Sequence, residues 1–250
     1  MKKIFITLVV VMISTLLLAQ SDVYFPDRPG YTYNAKLVGL HRADVEVGFG
    51  YNFTNYGEKS NLFYNTTAVR FGMFKHLELR YEIDFGDLST PSVNSSGVKG
   101  MIIGVKAPII DDLKYFPDVA IIGTVALPNL GKPEFLIPNY APSFTLVLQK
   151  IIGKFALFGN SSVFWDGINL YAKGSASFAL YYIPGKFGMF AETYCIYSDR
   201  TYPVNVGDCG VIYCITNDLI VDLSGGIDYN VGFDNFFVNC GIGWRLPASL

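Results

Sequence analysis

Charged residues are scarce in this chain of 250 residues, since Asp, Glu, Lys and Arg together make up 16% of it. Soluble proteins usually carry about a quarter of their residues charged. The formal net charge is −2, and without a basic excess no nucleic-acid partner is expected. Beyond residues 1–20, no stretch approaches the roughly 18–20 uninterrupted apolar residues of a spanning helix. The low charge therefore calls for an explanation other than membrane helices.

Histidine is also scarce, which restricts the possible chemistry. His41 and His76 are the two histidines of the chain, and acyl-ester hydrolysis needs a nucleophile, a base and an orienting group. The GxSxG motif of hydrolases is absent. His/Cys metal spacing is missing as well, and the acids Asp111, Asp112 and Asp218 are interpreted as turn formers. We expect no enzyme, no metal and no cofactor.

The four cysteines of the chain lie in its last quarter, at Cys195, Cys209, Cys214 and Cys240. In an exported protein, Cys195 and Cys209 could pair across one hairpin. The alternative, which we favour, is that all four are small apolar side chains on strand faces. Both possibilities stay open on the sequence alone.

The N-terminus has the pattern of an export signal. Lys2 and Lys3 precede an apolar run from Ile4 to Leu18, and Ala19-Gln20 is a plausible cleavage point. A retained anchor is the alternative. The expected organisation is a bacterial signal peptide over 1–20, a periplasmic N-terminal lead-in over 21–41, where Pro26, Pro29 and Gly30 break any ladder, and one domain over 42–250.

Strict alternation runs through most of the domain. In HLELRYEIDF, residues 76–85, apolar side chains occupy one face, and charged or polar side chains the other. This is the period of a β-strand. Comparable runs lie near 42–53, 62–73, 76–86, 97–108, 117–128, 138–150, 154–165, 169–183, 186–198, 203–215, 218–230 and 233–246. An even number of about twelve is typical of bacterial transmembrane barrels, and we predict an all-β fold, a closed antiparallel transmembrane β-barrel of about 12 strands.

The apolar face of these strands is expected to meet lipid. A soluble barrel or sandwich would turn its apolar side inward and would carry many more surface charges. Aromatic residues also gather near strand ends, as in the girdles of membrane barrels; Trp165, Tyr197 and Trp244 are examples. A soluble secreted β-protein is kept as an alternative.

Several short motifs, in order, resemble a known family. They include FPDRPG at 25–30, ADVEVGFGY at 43–51, VRFGMFKHLELRYE at 69–82 and the closing stretch from DLSGGIDYNVGF to WRLP. Their order and spacing are similar to those of the bacterial outer-membrane barrel proteins grouped as the phenol-degradation meta-pathway family. The resemblance implies a barrel of about twelve strands in the outer membrane that passes small molecules. It implies no catalytic residues.

The charged residues that alternate with the apolar face are predicted to line the lumen. The candidates are Glu46, Arg70, Glu78, Arg80, Glu82, Lys106, Lys173, Glu192, Asp208, Asp222 and Arg245. The expected function is to pass or bind small solutes, aromatic or hydrophobic ones among them, through a narrow, charge-lined lumen. The expected partners are outer-membrane lipid and an unidentified solute, and the oligomeric state is open. The alternative is a plugged barrel with a structural or adhesive role, in which the same charges pair and fill the interior.

Overall fold

A computed structural model describes residues 26–246 of the chain. The predicted signal peptide lies outside the described residues. The strands are β1 Ala43–Thr54, β2 Ser60–Phe74, β3 Leu77–Ser89, β4 Asn94–Ile110, β5 Asp118–Ala126, β6 Ala141–Ile152, β7 Phe155–Phe164, β8 Lys173–Tyr182, β9 Phe187–Tyr197, β10 Val204–Cys214, β11 Leu219–Asp228 and β12 Gly232–Arg245. A single turn of 3-10 helix, Pro133–Phe135, lies between β5 and β6.

The twelve strands form one closed barrel. Each strand pairs antiparallel with its neighbour along the chain, and β1 closes the sheet by pairing with β12 from Asp44–Arg245 to Thr54–Asn235. Closure removes the unpaired edges of an open sheet. The predicted fold class and strand number are confirmed. Within residues 26–246 there is no helix with the length and apolar character to cross a membrane.

The strand connections define two rims. The terminal rim is the end where β1 begins and β12 ends, with connections 75–76, 111–117, 153–154, 183–186 and 215–218. The loop rim is the opposite end, with connections 55–59, 90–93, 127–140, 165–172, 198–203 and 229–231. At the terminal rim, only the 111–117 connection is long. The alternation pattern gives no reason for that length.

The barrel is polar inside and apolar outside. Buried inward side chains include Asp44, Glu46, Arg70, Glu78, Lys106, Gln149, Glu192, Asp208 and Asp222. Exposed outward side chains include Phe49, Phe63, Leu79, Ile103, Ile121, Phe144, Phe178, Met189, Leu223 and Trp244. This is the polarity of a barrel surrounded by hydrocarbon. Trp165 departs from the expected girdle, because it lines a cavity inside the barrel.

One part of the interior is apolar, which the alternation did not predict. Phe158, Tyr181, Phe190, Ile212 and Ile220 form a buried cluster on the inner face of β7 to β11. The rings of Tyr181 and Phe190 stack with centroids 5.0 Å apart. The sequence runs around these residues are apolar on both faces, so that alternation alone could not show that aromatic rings pack inside the barrel.

The cysteine thiols are free. In the β9–β10 hairpin, Cys195 lies opposite Asn205, and Cys209 lies opposite Ala191. The two cysteines are therefore not cross-strand partners, and the favoured interpretation of them as side chains on strand faces agrees with this arrangement.

An apolar exterior makes stability in a bilayer sensitive to outward charge. Leu146 is outward and 43% exposed in the middle of β6, whereas Leu170, in the 165–172 connection, is 89% exposed. We expect Leu146→Arg to destabilise the barrel in phospholipid bilayers by about 2–4 kcal/mol, the cost of a cation at the midplane of a membrane barrel. Urea titration in liposomes measures it. Leu170→Arg is the control, and equal effects of the two substitutions would contradict an apolar belt around β6.

Candidate functional site

The predicted lumen residues all occupy inward positions of the strand register. The pairs Glu46–Ala68, Arg70–Arg80 and Glu78–Lys106 follow the inner face of β1 to β4. On the other side of the barrel, Glu192 pairs with Asp208. Their roles in a solute path stay a prediction, since position alone does not show what passes.

Residues 26–42, which we call the inner segment, contact the inside of the barrel through residues 27 to 38 and are exposed at residues 39–42. Residues 21–41 are predicted to be a periplasmic lead-in; the described part of this range contacts the inner wall of the barrel, and its periplasmic position stays a prediction. The segment contacts the inner wall at β3, β11, β9, β6 and again β3 through its residues 27 to 38. The physical reason is that a Pro- and Gly-interrupted segment cannot join a ladder, so that its buried backbone groups need side-chain partners. The polar lumen supplies them.

Asp27 is the centre of the largest ion cluster of the described chain. Its Oδ2 accepts from Arg80 and lies 3.3 Å from Arg70 Nε. Arg70 Nη2 is 2.5 Å from Glu46 Oε1, and Arg80 Nη1 is 2.9 Å from Glu78 Oε1. The backbone N–H of Asp27 also donates to Glu46. Such charges are costly to bury unless each has several partners, and here the inner segment completes the set.

Asn34 and the residues after it return the segment to the part of the wall near Asp27. Asn34 donates from its backbone and from Nδ2 to Asp27 Oδ1, at 3.0 and 2.8 Å. Lys106 Nζ donates to Asn34 Oδ1 and, at 2.7 Å, to the carbonyl of Lys36. The backbone N–H of Val38 donates to Glu78. Residues 27 to 38 therefore form a loop that is fastened to the wall at its start and at its end.

Arg28 reaches the closing seam of the barrel. Its Nη2 lies 3.2 Å from Asp222 Oδ1 and donates to the carbonyl of Cys240. The guanidinium fits between Gly48 and Gly241, which are partners across the β1–β12 seam. A Cβ at these glycines would lie 1.7 Å and 2.4 Å from guanidinium atoms. Only glycine leaves room there.

Glu192 holds the middle of the inner segment. It accepts the backbone N–H of Tyr31 at 2.9 Å and the Oγ1 hydroxyl of Thr32 at 2.5 Å. The ring of Tyr31 stacks on Tyr194 with centroids 4.3 Å apart. Gly30 packs directly on Glu192, because a Cβ there would lie 2.0 Å from Oε2. The lumen carboxylate is thus occupied by the segment.

Lys36 fastens the inner segment to the terminal rim. Its ammonium lies 2.5 Å from Asp111, 2.6 Å from Asp112 and 3.2 Å from Asp118. Burial acts to lower the pKa of Lys36, but the hydrogen bonds to Asp111 and Asp112 and the charge of Asp118 raise it above its ordinary value. The long 111–117 connection therefore provides acidic side chains that bind the ammonium group of Lys36. These acids could also hold a metal ion geometrically, but Lys36 supplies the positive charge.

Two of the predicted residues lie at the rims rather than along the centre. Lys173 pairs with Asp166 of the 165–172 connection at 2.9 Å, and Arg245 pairs with Asp218 at the terminal rim at 2.7 Å. Burial acts to raise the pKa of Asp166, but hydrogen bonds from Asn169, Lys173 and Ile168 lower it below its ordinary value. These pairs fix the connections to the wall.

The lumen of the described chain contains two cavities that the inner segment helps to line, among any others. The tyrosine cavity has a volume of about 390 Å³, and its lining includes Tyr64, Tyr194, Phe237, Glu82 and Asp208. The loop cavity has a volume of about 540 Å³, and its lining includes Met101, Phe135, Ile137, Phe164 and Trp165. Tyr31 and Tyr33 of the inner segment line both cavities. The segment therefore divides the open part of the lumen.

Sequence reasoning missed Asp27 and Arg28 as lumen residues. Both stand in the FPDRPG motif, where a charged pair between prolines precedes the first strand. The available signal was the excess of acids over bases among inward residues combined with two charges in an otherwise strand-free segment. That signal does not show where the segment goes, because its partners are up to 212 residues away.

A closed barrel with an apolar exterior and a charged interior has the fold of the outer-membrane β-barrels. The model of the family described as "Putative MetA-pathway of phenol degradation" matches residues 26–246, and the chain belongs to this family. The match begins at the inner segment and includes all twelve strands. The resemblance noted in the sequence is confirmed.

Solved structures with the same fold include a channel and porins. An outer membrane channel from Pseudomonas putida F1 is 13% identical, with a TM-score of 0.66, covering 87% of this chain and 99% of that one. KdgM porin in complex with disordered oligogalacturonate is 7% identical, with a TM-score of 0.57, covering 81% and 100%. NanC porin is 12% identical, with a TM-score of 0.54, covering 81% and 100%. A search of curated proteins finds no significant match.

The fit of Gly30 against Glu192 can be tested by adding one methyl group. We expect Gly30→Ala to push Glu192 away from Tyr31 and Thr32 and to destabilise the protein by about 1–3 kcal/mol, as overpacking does. Thermal unfolding in detergent measures the loss, and limited proteolysis shows whether residues 26–42 become accessible. Gly185→Ala is the control, because a Cβ there meets no atom within 4 Å. Identical behaviour of both variants would contradict the described packing.

Proposed function

We propose that this chain is a bacterial outer-membrane barrel that passes small solutes, and that the inner segment is the gate of the path. The apolar exterior supports a position in a membrane. An outer-membrane channel and two porins share the fold, which is thus compatible with a solute path. The predicted export signal over 1–20 agrees with this location and stays a prediction.

The proposal that the inner segment is a gate rests on the way in which this segment is attached to the wall. The strand ladders of the wall are complete without it, since every strand is paired on both sides. The segment is attached mainly through side chains, with one isolated bridge to the wall at Leu40–Gly72. Residues 27 to 38 can therefore leave the lumen without breaking a strand ladder. A barrier of this kind is removable.

The positions of the cavities indicate the direction of the path. Both cavities adjoin the loop rim, because their linings include Asn52, Phe237, Phe135 and Trp165 near that end. Towards the terminal rim, the inner segment and the apolar cluster around Phe158 and Tyr181 occupy the interior. A solute that enters from the loop rim meets Tyr31 and Tyr33 first. Displacement of the segment would connect the cavities with the terminal rim, which faces the periplasm in this proposal.

A plugged barrel with a structural or adhesive role is the second candidate. It is favoured by the same ion pairs, because Asp27, Arg70, Arg80, Glu46 and Glu78 fill the lumen and satisfy one another. A soluble secreted β-protein fits less well, since the exposed faces of the strands are apolar. Passage and a permanent plug differ in whether the segment moves.

A reversible tether tests the gate. Lys36→Cys and Asp111→Cys, with the native cysteines replaced by alanine, remove one fastening and place two thiols at the terminal rim. In planar lipid bilayers we expect this variant to conduct ions more than the cysteine-free parent, because Lys36 no longer holds the segment. A short bis-methanethiosulfonate linker should lower the conductance to the level of the parent or below. Reductant should cleave the linker and return the conductance to the raised value.

The single variant Lys36→Cys, treated with the same linker, controls for modification without tethering. Equal conductance with and without the tether would mean that passage does not require movement of the segment. No conductance in either state would favour the permanently plugged barrel.

A further inference from the structure

The tyrosine cavity contains more acid than its own basic groups neutralise. The arginines that line it are Arg28, Arg70 and Arg80. Each of them is already paired: Arg28 with Asp222, Arg70 with Asp27 and Glu46, and Arg80 with Asp27 and Glu78. None of this positive charge is left over for a further acid. The lining nevertheless includes two more carboxylates, those of Glu82 and Asp208.

Asp208 is the deeper of these two acids. It is 8% exposed, and its Oδ1 has no hydrogen-bond partner within the described chain. The acid next to it in the β9–β10 register is Glu192, which adds negative charge rather than compensating it. A buried, unpaired carboxylate is costly. A cation in the cavity would remove that cost.

Glu82 contributes a second carboxylate from another part of the wall. It stands on the inner face of β3, two residues beyond Arg80, and is half-buried. Arg80 donates to Asp27 and Glu78. Within residues 26–246 no hydrogen bond or ion pair reaches Glu82, although the charges of Arg80 and Arg70 act on it from a longer distance. The cavity thus has carboxylates without a protein hydrogen-bond partner on β3 and on β10, which face a shared volume of about 390 Å³.

Aromatic rings make up much of the remaining lining. Tyr31, Tyr64, Tyr194 and Phe237 line the cavity together with Tyr33. Rings in this lining already contact cations of the protein: Lys99 Nζ lies 5.6 Å from the ring centroid of Tyr64, and Arg80 Cζ lies 5.2 Å from that of Tyr33. Aromatic faces attract ammonium groups and also cover apolar surface. This favours an organic cation over a hydrated inorganic one.

We propose that the tyrosine cavity is a binding site for a small organic cation, a protonated amine or quaternary ammonium with an apolar body. Asp208 and Glu82 receive the charge, and the rings of Tyr64, Tyr194 and Phe237 pack against the body. This goes beyond the proposed passage of solutes, because binding can be measured in a barrel whose lumen stays closed.

Three probes of one size and different charge test the proposal. Isothermal titration of the detergent-solubilised barrel with benzylamine, benzyl alcohol and benzoate compares a cation, a neutral molecule and an anion on the same ring. We expect benzylamine to bind at least about tenfold more tightly than benzyl alcohol, which corresponds to about 1.4 kcal/mol. Benzoate should not bind. Equal binding of the three probes, or no binding of benzylamine, would overturn the proposal.

Two isosteric substitutions locate the charge. Asp208→Asn and Glu82→Gln should each weaken benzylamine binding by about tenfold and leave the weak binding of benzyl alcohol unchanged. Asp234→Asn is the matched control, because Asp234 lies near the loop rim, where it accepts from Asn55 outside the cavity. Unchanged affinity in both cavity variants would overturn the site.

The thermal unfolding temperature separates a ligand-binding role of Asp208 from a purely structural one. A structural role predicts that replacing Asp208 lowers this temperature. Because the carboxylate of Asp208 has no partner in the empty barrel, Asp208→Asn should not lower the thermal unfolding temperature. A lower unfolding temperature with unaltered benzylamine affinity would show that Asp208 serves the fold and not a ligand. Failure of cation binding leaves the conductance experiment on the tethered segment unaffected, so that the two proposals fail separately.

Discussion

The interior of this barrel depends on one carboxylate, that of Asp27, shared by two arginines of neighbouring strands. Arg70 and Arg80 are register partners on β2 and β3, so that the fold itself places two like charges side by side. Glu46 and Glu78 of the wall each pair with one of these arginines, and a further acid is needed to bridge the two. Asp27 comes from outside the wall and supplies that acid. Wall and inner segment are therefore electrostatically incomplete without each other.

The same principle extends around the lumen. Glu192, Gln149 and Glu78 point into the lumen, and each accepts a backbone N–H of the inner segment. In this way a segment with no secondary structure of its own satisfies its buried backbone groups. The N–H groups of the segment in turn reduce the free-energy cost of burying the polar side chains of the wall in a narrow interior. The arrangement is an alternative to filling a small barrel with wall side chains alone.

The wall could be predicted from the sequence because its signal is local. The alternation in residues 77–85 reports which side chains share a face, and β3 follows that run closely, from Leu77 to Ser89. The contents of the lumen could not be predicted in the same way. The pairing of Asp27 with Arg80 joins residues 53 positions apart, and nothing in either local sequence specifies the other. The aromatic cluster of Phe158, Tyr181 and Phe190 was missed for a related reason, since the ends of its strands at the terminal rim are apolar on both faces.

The seat of Arg28 between Gly48 and Gly241 has a consequence for assembly. These glycines belong to the first and last strands, which meet only when the cylinder closes. Before that moment, the two halves of the seat are on separate edges and Arg28 has no complete groove to enter. Afterwards, the guanidinium lies across the join, bonded to Asp222 and to the carbonyl of Cys240. Insertion of the N-terminal segment and sealing of the barrel are therefore coupled events, and a chain that closes with the segment outside would leave Asp222 without its cation. Arg28 can therefore reach its bound position only after β1 and β12 have paired.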